Sequence, residues 1–144
     1  MPVRDEFSDP AAYNEATAEE FRANGGQTTG DFAGRPLLVL TTTGAKSGLP
    51  RVTPLIYTMD GDRFVVTAAD AGSDHHPGWY HNILANPEVT LEVGPEKFAA
   101  MATEPAGEER DRLFAERCAA TPRFKEYQDK TTRRIPIIVI ARNN

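Results

Sequence analysis

The chain has 144 residues, 40% of them hydrophobic and 26% charged, with a formal net charge of -5. That length suits one domain able to bury a full core without disulfides or a structural metal, and the single cysteine, Cys118, rules out an intrachain disulfide. The acidic balance argues against nonspecific nucleic-acid binding, no apolar run reaches the ~20 residues of a membrane span, and residues 1–12 lack a signal-peptide pattern, so a cytoplasmic protein is expected.

Asp9-Pro10 reads as an N-cap followed by proline at the first helical position, predicting a helix over 11–24 that Gly25-Gly26 ends. Its apolar face is thin, little more than Tyr13 and Phe21, and residues 27–35 read as a loop. The run Leu-Leu-Val-Leu-Thr-Thr-Thr at 37–43 predicts a strand. A turn follows at 44–48, then a second strand over 51–59 whose Pro54 implies a sheet edge or a bulge. Asp60-Gly61 signals a tight hairpin into a third strand at 63–69. After a polar loop at 70–76, Pro77 opens a short helix that Asn86-Pro87 stops. Strands at 89–93 and 97–103 flank Gly94-Pro95. A helix at 106–119 follows, with Leu113, Phe114 and Cys118 as its buried stripe, then a shorter helix at 124–130 and a closing apolar strand at 135–141.

Hairpins make neighbouring strands antiparallel, and alternating βα crossovers are absent. The expected fold is therefore mainly β, a six-stranded antiparallel barrel with peripheral helices. One domain is expected overall, with an N-terminal helix and loop at 1–36 and the barrel at 37–144.

Two stretches stand out chemically. In Thr41-Thr42-Thr43-Gly44-Ala45-Lys46-Ser47-Gly48-Leu49-Pro50-Arg51, two glycines free the backbone to expose N–H groups beside a hydroxyl and two cations. That set suits a phosphate or carboxylate, though a hairpin with solvated charges has the same composition. It is not a P-loop, because Ala45 stands where that motif has glycine. In Pro77-Gly78-Trp79-Tyr80-His81-Asn82, the indole of Trp79 could pack on a planar ring or anchor the helix to the barrel. Asp74, His75, His76 and His81 match no strong zinc spacing, so no metal is expected. Cys118 reads as a structural thiol.

These stretches, in this order and closed by Ile135-Pro136-Ile137, resemble the deazaflavin-dependent nitroreductase family of actinobacteria over about residues 37–141. The resemblance implies a split β-barrel related to the FMN-binding barrels. It also implies coenzyme F420, whose phosphodiester tail ends in glutamates. By that resemblance Lys46, Ser47, Leu49 and Arg51 hold the tail, Thr53 and Pro54 line the path to the ring, Thr67, Ala68 and Ala69 lie against the deazaflavin, and Gly78, Trp79 and Asn82 complete the pocket. Tyr127 matches a position near the substrate and would donate or orient a proton. Ile56, Thr121 and Phe124 stand where a better-known member has tyrosines, which implies a more apolar acceptor pocket; Asp70 stands where a basic residue would be. The implied activity is hydride transfer from reduced F420 to a small conjugated acceptor, a nitro compound, quinone or enone. The alternatives are FMN in the same barrel and a deazaflavin carrier without turnover. Some split-barrel relatives dimerise, which leaves a homodimer open here.

Overall fold

The computed structural model describes residues 10–28 and 34–143, so the Asp9 N-cap and part of the following loop lie outside the described residues. Helix α1 (Pro10–Ala23) leads into strand β1 (Leu37–Thr43), β2 (Pro50–Ile56), β3 (Thr58–Asp60) and β4 (Arg63–Thr67). Helix α2 (Gly78–Ala85) precedes β5 (Glu88–Val93) and β6 (Glu96–Thr103); α3 (Gly107–Ala120), α4 (Arg123–Lys130) and β7 (Ile137–Arg142) complete the chain.

All pairings are antiparallel, in the order β2-β1-β5-β6-β7-β4-β3. The sheet thus has seven strands, not the six expected. The single strand read over 51–59 is divided at Tyr57. Residues before it pair with β1 and residues after it pair with β4. Alternation in the sequence continues through such a point, because a change of pairing partner leaves no mark on side-chain period. The consequence is architectural: the two edge strands of the sheet are joined through one residue, so the sheet must curl round on itself into a split-barrel-like shape. Tyr57 is held there by its N–H, which donates to the Pro36 carbonyl at 3.0 Å. Pro54 sits on edge strand β2, as a residue without an N–H requires.

Strand parity distributes the core. Leu38 and Leu40 of β1, Val66 of β4, Leu91 of β5 and Ile138 and Ile140 of β7 point into the curl. Trp79, Tyr80 and Ile83 of α2 enter the same cluster, so this helix plugs the sheet's interior. The opposite faces are covered by helices. Leu37 and Val39 pack beneath Ala18 and Phe21 of α1, while Val65, Ile137 and Val139 pack beneath Leu113 of α3. Strands β1 and β7 are therefore buried on both sides, which explains why they read as unbroken apolar runs. In α3 the residue buried beside Leu113 is Arg117, its guanidinium 4.3 Å from the Phe124 ring centroid, whereas Phe114 and Cys118 are only half-buried.

Helix α1 owes its place to more than its thin apolar stripe. Arg22 donates twice to Glu92 of β5, at 2.6 and 2.8 Å. The chain then turns through Gly25 and Gly26, and a Cβ on Gly26 would lie 1.9 Å from the Gly94 carbonyl oxygen. Only glycine permits that approach at φ +83.

Candidate functional site

A cleft of about 1100 Å³ opens beside edge strand β2. The β1–β2 turn gives it Lys46 and Ser47, β2 gives Arg51, Thr53 and Leu55, and the end of β4 gives Thr67. Opposite stand Gly78, Trp79, His81 and Asn82 of α2, with Asp70 on the approach to that helix. Tyr13, Asn14 and Glu15 of α1 form a further wall.

The turn is built by its glycines and by Asn82. Gly48 has φ +70, and a Cβ on Gly44 would fall 2.5 Å from the Ser47 hydroxyl oxygen. The Gly44 N–H donates to the Leu49 carbonyl, the Gly48 N–H to the Gly44 carbonyl and the Leu49 N–H to Ser47 Oγ. The Ala45 N–H donates to Asn82 Oδ1 at 2.9 Å, and Asn82 Nδ2 donates to Thr42 Oγ1 at 3.0 Å. Two corrections follow. Most of the turn's amides are engaged inside the protein, so an anion would meet chiefly the side chains of Lys46 and Arg51 rather than a backbone nest. Asn82 spends both ends of its amide locking α2 to the turn, which sets where Lys46 sits.

Lys46 and Arg51 are exposed and pair with no carboxylate among the described residues. Thr67 lines the cleft, and its buried Oγ1 has no hydrogen-bond partner among the described residues. A buried orphan hydroxyl is uncommon and costs stability unless something supplies a partner. Trp79, only 7% exposed, is a core anchor that also presents a face to the cleft. One cleft thus joins two cations that pair with no carboxylate among the described residues to the aromatic Trp79 and to Thr67.

Other expected site residues lie elsewhere. Leu49 is exposed on the turn; Pro54 does not line the cleft; Ile56 packs against the α1 cluster. Ala68 and Ala69 are core residues whose carbonyls accept from Arg133. Thr121, Phe124 and Tyr127 do not line the cleft. Tyr127 packs against Gly72, behind the turn that carries Asp70, with its ring at right angles to Phe124.

Sequence reasoning missed Arg133. Its guanidinium donates to the carbonyls of Ala68 (3.0 Å), Ala69 (2.6 Å) and Ser73 (2.7 Å) and meets His76 Nδ1 at 3.0 Å. Since arginine only donates, His76 accepts at Nδ1. Burial, then the Arg133 and His81 charges, push the His76 pKa below its ordinary value, against a smaller opposing pull from Glu104. Neighbouring Tyr80 donates to Glu104 Oε1 at 2.6 Å, and burial with that bond pushes its pKa up to about 12. In sequence, Arg133 is one of two adjacent arginines before a strand, which reads as solvated charge.

A split-barrel-like antiparallel sheet with a basic-mouthed cleft beside a core helix defines a protein suited to an anionic small-molecule ligand. The comparisons narrow the class. The profile of the F420H(2)-dependent quinone reductase family matches residues 14–142. An F420H(2)-dependent quinone reductase of Mycobacterium tuberculosis is 42% identical over 112 residues, 74% of each chain. A solved F420-H2-dependent reductase, FDR-A, superposes with TM-score 0.67 at 38% identity, covering 74% of this chain and 94% of that one. Another solved structure, described as a domain-swapped dimer, gives TM-score 0.70 at 34% identity over 92% of this chain and 99% of its own. The chain belongs to the F420H(2)-dependent quinone reductase family: it is an F420-dependent oxidoreductase with coenzyme F420 as its cofactor.

Proposed function

We propose that this protein reduces a quinone or another small conjugated acceptor, such as an enone or a nitro compound, in the cleft between β2 and α2. The observation that carries this reading is that Lys46 and Arg51, without carboxylate partners among the described residues, line one cleft with Trp79 and with Thr67, whose hydroxyl is likewise unpartnered among those residues. Lys46 and Arg51 would neutralise the phosphodiester–glutamate tail, with Ser47 beside them. Thr53 and Leu55 would guide the chain inward, and Thr67, Gly78 and Trp79 would border the ring. Bound reduced deazaflavin supplies a hydride, so no activated nucleophile is needed from the protein. What the chain contributes is orientation and exclusion of water. Trp79 and Leu55, which join the core cluster, close the inner end of the cleft.

An acceptor that takes a hydride also takes a proton. By the family resemblance Tyr127 would donate or orient that proton, which requires the Asp70 turn to shift so that the Tyr127 hydroxyl reaches the cleft. Tyr127→Phe should lower turnover at least tenfold and leave deazaflavin affinity unchanged; unaltered turnover would remove Tyr127 from the mechanism. No helix among the described residues is long and apolar enough to cross a membrane, and a cytoplasmic location accompanies this reading.

Titration with oxidised coenzyme F420, with FMN in parallel, followed by fluorescence, tests the site. Micromolar or tighter F420 binding with weak FMN binding is expected, followed by turnover with quinones. Absence of F420 binding would overturn the reading.

A further inference from the structure

The segment between β4 and α2 brings Asp70 to the cleft wall as an irregular turn that packs against α4, where Gly72 meets Tyr127 and Lys130. It crosses Asp70 at φ 44 and Ala71 at φ 53, two consecutive left-handed residues that are not glycine. L-residues adopt that conformation only at an energetic cost, so something outside the segment must hold it. The turn's own bonds are two: the Gly72 N–H to the Ala69 carbonyl at 2.9 Å and the Ser73 N–H to the Asp70 carbonyl at 3.0 Å.

The support comes from the far end of the chain. Arg133 precedes β7 and donates to three carbonyls on the turn's flanks, those of Ala68 and Ala69 before it and Ser73 after it. A planar guanidinium with five N–H groups can meet acceptors from several directions in one plane; an ammonium cannot reproduce that fork. The bond to His76 Nδ1 extends the clamp to the residue before Pro77, where α2 begins. Lys130 Nζ adds a longer bond to the Ala71 carbonyl at 3.3 Å. The ends of the clamped segment are the cleft residues Thr67 and Gly78, and Asp70 lies on its crest.

We infer that Arg133 is a positioning residue for the head of the cofactor: it holds the strained Asp70–Gly72 turn in the shape that places Thr67, Asp70 and Gly78 around the ring. The inference rests on the cofactor site proposed above and adds a division of labour to it. Lys46 and Arg51 recognise the tail, and Arg133, touching no ligand, fixes the surface that meets the head.

Two ligands separate the roles, coenzyme F420 and the same deazaflavin lacking its phosphodiester–glutamate tail. Arg133→Lys should weaken both by the same factor, at least fivefold, whereas replacing Lys46 and Arg51 should weaken F420 far more than the tail-less form. Hydrogen exchange on the ligand-free protein gives a second readout: the Gly72 and Ser73 amides should exchange faster in Arg133→Lys with other elements unchanged. Adding Ala71→Gly should restore part of the lost affinity, because glycine accepts the left-handed conformation without the clamp. A folded Arg133→Lys that binds the tail-less deazaflavin as wild type does, or unchanged Gly72 and Ser73 exchange, would overturn the inference. Arg133→Gln stands in where the lysine variant does not fold. In the native chain itself, exchange of those two amides at the rate of an unfolded peptide would equally overturn it. If wild-type protein binds neither ligand, the cofactor reading fails, and the exchange measurements still decide the clamp.

Discussion

At the scale of single residues, the cleft separates groups that bind from groups that position. Lys46 and Arg51 pair with no carboxylate among the described residues, so removing them should cost the fold little and the ligand much. Lys46→Ala with Arg51→Ala should weaken F420 binding at least tenfold while the unfolding midpoint stays put, since charge-assisted contacts contribute about 1.5–3 kcal/mol each. Fluorescence titration beside thermal melting checks both halves. Thr67 makes the opposite case. Its buried hydroxyl has no partner among the described residues, so Thr67→Val should leave the free protein as stable or slightly more so. It should also weaken F420 about two- to tenfold, the equivalent of one ordinary hydrogen bond. Equal affinity in the variant would mean that the hydroxyl meets no cofactor atom.

Among the elements, the N-terminal helix changes most between sequence and structure. Its composition offers Tyr13 and Phe21 and little else, yet α1 covers β1 and β2 and walls the cleft. What fixes it is a pair of contacts invisible in one dimension, Arg22 with Glu92 and Gly26 against Gly94. Gly26→Ala should destabilise the protein by roughly 2 kcal/mol or more, because it adds a clash with backbone to a left-handed residue. Gly25→Ala, with φ +64 and open space around its Cβ, should cost only the conformational part, about 1 kcal/mol. Urea unfolding of the two variants side by side measures the difference, and equal effects would show that the close approach is not retained in solution.

For the molecule as a whole, joining both sheet edges through Tyr57 means that the two sides of the cleft belong to one cooperative unit. His76 sits at a junction of that unit, with Arg133 before β7, Tyr80 and His81 on α2 and Glu104 after β6 around it. Its folded pKa lies below the ordinary 6.5, so the unfolded chain binds the proton more readily. Its contribution to stability is then complete above about pH 6.5 and is lost as pH falls through the lower folded value. Melting temperature should fall as pH drops below the ordinary 6.5 in wild type, and the fall should be shallower in His76→Asn, whose side-chain oxygen can still accept from Arg133. Parallel curves for the two proteins would count against His76 as the titrating group.

The sequence by itself determined most of the elements and the hairpins at Gly61 and Gly94, because periodicity, turn residues and apolar runs are local properties. It also placed Lys46, Arg51, Thr67 and Trp79 together as a candidate site, through motif resemblance rather than through contact. Only the tertiary structure decided that one strand is two, that Asn82 is spent on the turn, that α1 walls the cleft and that Arg133 clamps the turn beside it. Each of those depends on which distant backbone groups meet. A residue's partner across the sheet is set by the curl of the whole chain, and neither its own type nor that of its neighbours encodes it.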